Sequence, residues 1–170
     1  MQDEEFDALY TAAFPRLVRQ LTLMTGDAEA AQDAVQEAFV RAWSRRSVLD
    51  SAELPEAWIR TTAWRLAVSR FRRLRRGWEL AVRHHHGPAE VAAPSPDRVL
   101  VEQALAALPL NQRRVLVLHY LCDLGVEQIA GETGASAGTV KSWLARGRKA
   151  LARELRREER DGAERKSSHV

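Results

Sequence analysis

Residues 126–151, VEQIAGETGASAGTVKSWLARGRKAL, decide how this chain is read. Their spacing predicts two short helices meeting at a tight turn. Ile129 and Ala130 fall on one inward face, and Gly134 sits where a turn between helices needs a positive φ. Ser136 is placed to cap the second helix, on which Val140 and Leu144 recur at i, i+4. A small Ala130 permits close approach of the pair. Lys141, Ser142, Ala145, Arg146 and Arg148 are then left outside, on a helix that a major groove about 12 Å wide would accept. An ordinary αα-hairpin shares this pattern, so the window alone leaves both readings open and the rest of the chain has to weigh in.

With 170 residues and 45% apolar content, the chain has enough material for two small folded domains or one of ordinary size, and wholesale disorder is excluded. No apolar run approaches the ~20 residues that span a bilayer, and the opening MQDEEFDALY is acidic, the reverse of a secretory signal. The expectation is a cytoplasmic protein without membrane insertion. Cys122 is the single cysteine, which suits a reducing compartment and leaves no second thiol to resolve an oxidised one.

A net charge of +3 conceals strong segregation. Residues 1–59 hold 5 basic and 11 acidic side chains, net −6, and residues 60–83 hold 8 and 1, net +7. Residues 84–140 hold 3 and 6, net −3, and residues 141–170 hold 10 and 5, net +5. Two basic blocks far apart in sequence suggest two separate contacts with a polyanion, and the acidic surfaces suggest a basic protein partner. Solvated helix faces are the alternative, favoured for the last block by itself because Arg153 to Lys166 mixes both signs.

Helical periodicity fails between Gly77 and Pro96, where His84, His85 and His86 precede Gly87-Pro88 and AEVAAPSPD follows. Three prolines and few large apolar residues read as a flexible linker over 81–96. The chain divides into an N-terminal module near 1–80, a C-terminal module over 97–157 and a polar tail, 158–170. No strand pattern is present, so the fold class expected is all-α, two small helical domains.

In the first module Phe6, Leu9, Tyr10, Leu17, Val18, Leu21 and Met24 form an apolar stripe, with Pro15 starting a new turn or kinking the helix. Gly26-Asp27 ends it, and Asp27 is placed to cap a second helix that buries Ala31, Val35, Phe39 and Trp43. The opposite face carries Asp33, Gln36, Glu37, Val40 and Arg41, a polar strip with one apolar residue in it. A third helix opens at Pro55, keeping Ile59, Ala63, Leu66, Ala67, Phe71 and Leu74 on one side. Its other side places Arg65, Ser69, Arg72, Arg73 and Arg76 at helical spacing, and Trp58 and Trp64 add large rings. Guanidinium groups grip phosphates, and exposed rings support unstacked bases by ~1–3 kcal/mol each, which suits melted DNA. Core packing of both tryptophans is the competing reading.

In the second module Val99, Leu100, Ala104, Leu105 and Leu108 make a helix that Pro109 stops. Val115, Leu116, Leu118 and Leu121 make another, before Asp123-Leu124-Gly125. These two supply the core for the 126–151 pair.

The combination resembles the bacterial sigma factors of the extracytoplasmic-function group, or group IV, of the sigma-70 family. Asp33-Ala-Val-Gln-Glu-Ala-Phe-Val-Arg-Ala-Trp43 is similar to the family's polymerase-binding region 2.2, and Pro55 through Arg73 to regions 2.3 and 2.4. Leu108-Pro-Leu-Asn-Gln-Arg-Arg-Val-Leu-Val-Leu-His-Tyr-Leu121, followed by Gly138-Thr-Val-Lys-Ser142, is similar to region 4. The resemblance implies a promoter-specificity subunit of RNA polymerase. By that likeness Asp33, Gln36, Glu37 and Arg41 contact the β′ coiled coil. Arg60, Trp64, Arg65, Ser69, Arg72 and Arg73 lie along the −10 element. Ser136, Thr139, Lys141, Ser142, Ala145, Arg146 and Arg148 face the −35 element. The implied partners are core RNA polymerase, through the β′ coiled coil and the β flap, promoter DNA, and an anti-sigma factor. The chain departs from the family pattern where Arg65 replaces a common Asn and Ser69 a common Asp.

A DNA-binding regulator working outside the polymerase holoenzyme is the alternative, with the N-terminal module as a dimerisation or sensing domain. The second basic helix argues against it. Enzymatic activity is not expected, and neither is a cofactor or metal. His84 to His86 lie in the linker with rings pointing in different directions, whereas a metal centre needs three or four converging ligands.

Overall fold

The structure is a computed structural model that describes residues 1–50, 55–77 and 95–167, with side chains described throughout these ranges except at 48, 50, 71–77 and 162–167. Among the described residues the secondary structure is helical, in eight elements and two compact units. Helices α1 (Asp3–Thr25), α2 (Ala28–Ser44), α3 (Arg46–Asp50) and α4 (Pro55–Gly77) build the first unit; α5 (Pro96–Ala106), α6 (Leu110–Tyr120), α7 (Val126–Thr133) and α8 (Ala137–Ser167) build the second. The expected linker lies outside the described residues over 81–94, together with His84 to His86.

Helix α1 runs through Pro15 without interruption. The proline is exposed, so the carbonyl that loses its amide partner is on the solvent side. Gly26 closes α1 in the left-handed region at φ 79°, its N–H donating to the Thr22 carbonyl at 2.7 Å. Asp27 then caps α2, its carboxylate accepting from the Ala30 N–H at 2.9 Å. Glu5 accepts from the Gln2 N–H at 2.8 Å, covering one of the open donors at the start of α1.

Helix α2 packs against both α1 and α4. Phe6, Leu17, Leu21, Met24, Ala31, Val35, Phe39, Ile59, Ala63 and Ala67 are all buried in this unit. Trp43 departs from expectation: it is 40% exposed instead of completing the buried face of α2. Its ring meets Phe6 edge-on at 5.0 Å, and the Arg46 guanidinium from α3 lies 3.9 Å over it. Trp43 is thus met by one ring of α1 and capped by a cation of α3. Tyr10, expected in the α1 stripe, is also 40% exposed and packs edge-on to Phe39 at 4.9 Å.

In the second unit Ser95 caps α5 and Pro96 occupies its first turn. Pro109 ends the connection and stands at the N-cap of α6. Val115, Leu116, Val117 and Leu118 are all buried on α6, as are Ile129 on α7 and Val140 and Leu144 on α8. Leu121 is 44% exposed, because α6 has ended at Tyr120. Arg113 is buried at the α5–α6 corner, where its Nη2 donates to the carbonyls of Ala106 at 2.5 Å and Leu108 at 3.3 Å. It thereby satisfies carbonyls left open at the end of α5. Burial pulls its pKa below the usual arginine value. Arg114 is buried too and donates to the Glu132 carbonyl near the end of α7 at 3.3 Å, tying α6 to the helix pair.

Candidate nucleic-acid and protein interfaces

The α7–α8 turn is built as its residues demand. Gly134 takes φ 73° and donates its N–H to the Ala130 carbonyl at 2.9 Å. Two residues later the Ser136 hydroxyl accepts from the Thr139 N–H at 3.1 Å and lies 2.9 Å from the Thr139 hydroxyl. Both hydroxyls are therefore committed to starting α8, and Thr139 is half-buried. With Val140, Leu144 and Gly147 buried, Lys141, Ser142, Ala145, Arg146 and Arg148 are all exposed on the outer side of α8.

Gly147 had no expected role and turns out to set the depth of α8. A Cβ at this position would lie 3.1 Å from Leu116 Cδ1 and 3.2 Å from Leu116 Cγ. A glycine inside a helix costs about 1 kcal/mol relative to alanine, and here it permits α8 to lie against α6. The available signal was this isolated glycine in an otherwise periodic helix.

On α2, Asp33, Gln36, Glu37, Val40 and Arg41 are all exposed, and Val40 is 56% so. Arg41 Nε donates to Glu37 Oε1 at 2.9 Å, pre-ordering part of the strip. Asp33 Oδ2 accepts from Arg70 Nη1 on α4 at 2.8 Å. This pair links the acidic strip to the basic helix through Arg70, a residue that sequence reasoning passed over. An exposed valine flanked by charged side chains has the mixed character of a protein-binding patch.

Helix α4 holds the residues expected along the −10 strand in two different settings. Arg60 and Trp64 are 7% and 8% exposed, so neither stands open to a strand beside the helix. The cause is the width of the buried arc: α4 packs against α2, α1 and α3, and residues 59, 60, 63, 64 and 67 are all covered. Arg60 Nη1 lies 3.8 Å from Glu56 Oε1. Glu56 also receives a two-pronged contact from Arg16 of α1, with Nε at 3.1 Å. Trp58 is half-buried. Arg65, Ser69 and Arg70 remain exposed. Arg72 and Arg73 lie on α4 with side chains outside the described residues.

Among the described residues no group of three or more His, Cys, Asp or Glu is arranged to hold a metal ion. No described helix is long and apolar enough to cross a membrane.

Two family models match the chain, Sigma-70 region 2 over residues 9–77 and Sigma-70 region 4 over residues 98–151. Over 143 residues it is 34% identical to the ECF RNA polymerase sigma factor SigL of Mycobacterium tuberculosis, covering 81% of each chain. The chain belongs to the extracytoplasmic-function sigma factors of the sigma-70 family. It is also 31% identical to the RNA polymerase sigma-E factor of Streptomyces coelicolor, over 89% of this chain and 86% of that one. With SigW of Bacillus subtilis it shares 30% identity, over 78% and 79%. The fold is shared with sigma factor RpoE of Bartonella quintana, solved in complex with the anti-sigma factor NepR. That match has a TM-score of 0.79 at 22% identity and covers 90% of this chain and 98% of that one.

This sigma factor binds core RNA polymerase and directs promoter-specific initiation of transcription. That displaces the alternative of a regulator working outside the holoenzyme. The sigma-70 family is not enzymatic in general, and it acts in the cytoplasm with RNA polymerase.

Proposed function

We propose a division of labour among three surfaces of this sigma factor. Asp33, Gln36, Glu37 and Arg41, with Val40 in their midst, contact the β′ coiled coil of core polymerase. Arg65 and Ser69, followed along α4 by Arg72 and Arg73, track the opened −10 strand, with Arg60 and Trp64 holding the helix from beneath. Lys141, Ser142, Ala145, Arg146 and Arg148 face the −35 duplex, and Ser136 and Thr139 fix the start of the reading helix. Because Ala145 has no reach, Lys141 and Arg146 carry more of the readout, and a bidentate Arg-to-guanine contact contributes about 1–3 kcal/mol of base discrimination.

The domain borders proposed are 1–80 for the polymerase and −10 module, 97–157 for the −35 module, which also meets the β flap, and 158–170 for the tail. The chain itself catalyses nothing, works in the cytoplasm, and is held inactive by an anti-sigma protein that covers the same surfaces.

The observation that carries this reading is the exposure of the α8 cationic group directly after a capped, glycine-closed turn. Run-off transcription with core polymerase tests it. Asp33→Ala with Glu37→Ala is expected to abolish initiation by removing polymerase binding. Lys141→Ala with Arg146→Ala is expected to leave polymerase binding intact and to lose promoter choice. Unchanged polymerase binding in the first variant overturns the assignment of the α2 strip.

A further inference from the structure

Region 4 similarity ends at residue 151, whereas α8 continues to Ser167. The sequence of that continuation, ARELRREERDGAERKS, mixes both signs, but over residues 153–161 the helix turns the arginines to one side, with the exposed Glu159 at the edge of it and the other acids away from it. At 100° per residue, Arg146, Lys149, Arg153, Arg156, Arg157 and Arg160 fall on one side, within about 100° of arc. All six are exposed. Glu154, Glu158 and Asp161 turn away from that side and are half-buried. Arg153 and Arg157 approach Glu154 only at 3.7 Å from its flanks, which leaves their outer faces available. The result is a continuous cationic ridge that begins on the −35-reading turns and extends past them.

The ridge is too long for the groove. From Ser142 to Arg160 the axis rises about 27 Å at ~1.5 Å per residue, more than twice the ~12 Å width of a major groove. A helix entering the groove by its first turns therefore carries its later turns against or beyond a phosphate wall. We infer that Arg153, Arg156, Arg157 and Arg160 form a second DNA-binding surface, a sequence-independent clamp on the phosphate backbone flanking the −35 element. Arginine suits this role because its guanidinium pairs with phosphate in two-pronged fashion, and such contacts set register and affinity without reading bases. The inference rests on the proposed placement of α8 in the −35 groove.

Equilibrium binding of holoenzyme to a promoter duplex, followed from about 50 to 200 mM salt, tests it. Each phosphate neutralised adds ~0.9 to the salt exponent. If two to four contacts are lost when all four arginines become Gln, the variant's affinity falls about 10- to 150-fold less than wild type across this range. The pairs Arg153→Gln with Arg157→Gln and Arg156→Gln with Arg160→Gln are each expected to give about half the slope change. Replacing all four by Lys retains it, and discrimination against a mutated −35 element stays at the wild-type ratio throughout. An unchanged slope in the four-Gln variant overturns the clamp, including the case where the ridge serves an acidic protein instead. Loss of −35 discrimination together with the slope also overturns it, as does an effect that neither pair shares. Failure of wild-type holoenzyme to prefer the promoter would instead count against the functional reading beneath it.

Discussion

Helices α4 and α8 both carry rows of arginine, yet they hold them differently. On α4, Arg60 is buried near Glu56 and Arg70 is paired with Asp33 of α2. On α8, Lys141, Arg146, Lys149 and Arg153 are exposed, and the carboxylates nearby sit behind them. The cations of α8 are displayed to solvent, while on α4 Arg60 is buried beside Glu56 of the same helix and Arg70 is engaged with α2. This difference matches the two forms of DNA assigned to them. An intact duplex presents a regular phosphate lattice that a preformed cationic ridge can meet without rearrangement. Under the proposed assignment a separated strand has to be captured as it opens, and the Arg70–Asp33 pair ties the helix proposed to track it to the strip proposed to meet polymerase.

The largest test of the contrast is Trp64→Ala. As a packed ring it should cost the N-terminal unit about 3–5 kcal/mol in denaturant unfolding. Were the ring an open stacking platform, stability would hold and only strand capture would weaken, by about 1–3 kcal/mol. Gly147→Val comes next: the added carbons meet Leu116, and overpacking should destabilise the C-terminal unit by about 1–3 kcal/mol. Calorimetry of the purified chain reads this as a lowered transition temperature, and an unchanged one would contradict the close approach of α8 to Leu116. The smallest effect belongs to the Asp33–Arg70 pair. Both partners are about half exposed, so a double-mutant cycle of Asp33→Asn and Arg70→Gln should yield no more than about 1 kcal/mol of coupling. That coupling should fade with added salt.

Local chemistry made much of the fold legible. Gly26, Asp27, Pro55, Gly134 and Ser136 each mark a helix boundary by a mechanism that acts within a few residues, and each stands where that mechanism requires. The exposure of the α2 strip and of the α8 cations followed from periodicity for the same reason. What escaped the sequence depends on contacts between helices. Periodicity locates a buried face but not its width, and the resemblance that places Arg60 and Trp64 along the −10 element carries no information on their burial. Trp43 fits the α2 pattern, yet among the described residues Phe6 and Arg46 cover it only in part, and the five-residue α3 that supplies Arg46 is too short to show a period. Arg113 and Arg114 carry charge that sequence places at the surface, whereas in the fold Arg113 satisfies carbonyls at the α5–α6 corner and Arg114 reaches the Glu132 carbonyl of α7. The sign-mixed end of the chain became a one-sided ridge only once α8 was seen to continue without a break.

Transcription start mapping after induced expression tests the central claim most directly. The account predicts new starts that share one −35 element and one −10 element at constant spacing, and that vanish in the Asp33→Ala, Glu37→Ala variant. Start sites unchanged by expression of the chain, or new starts with no shared pair of elements, would contradict it.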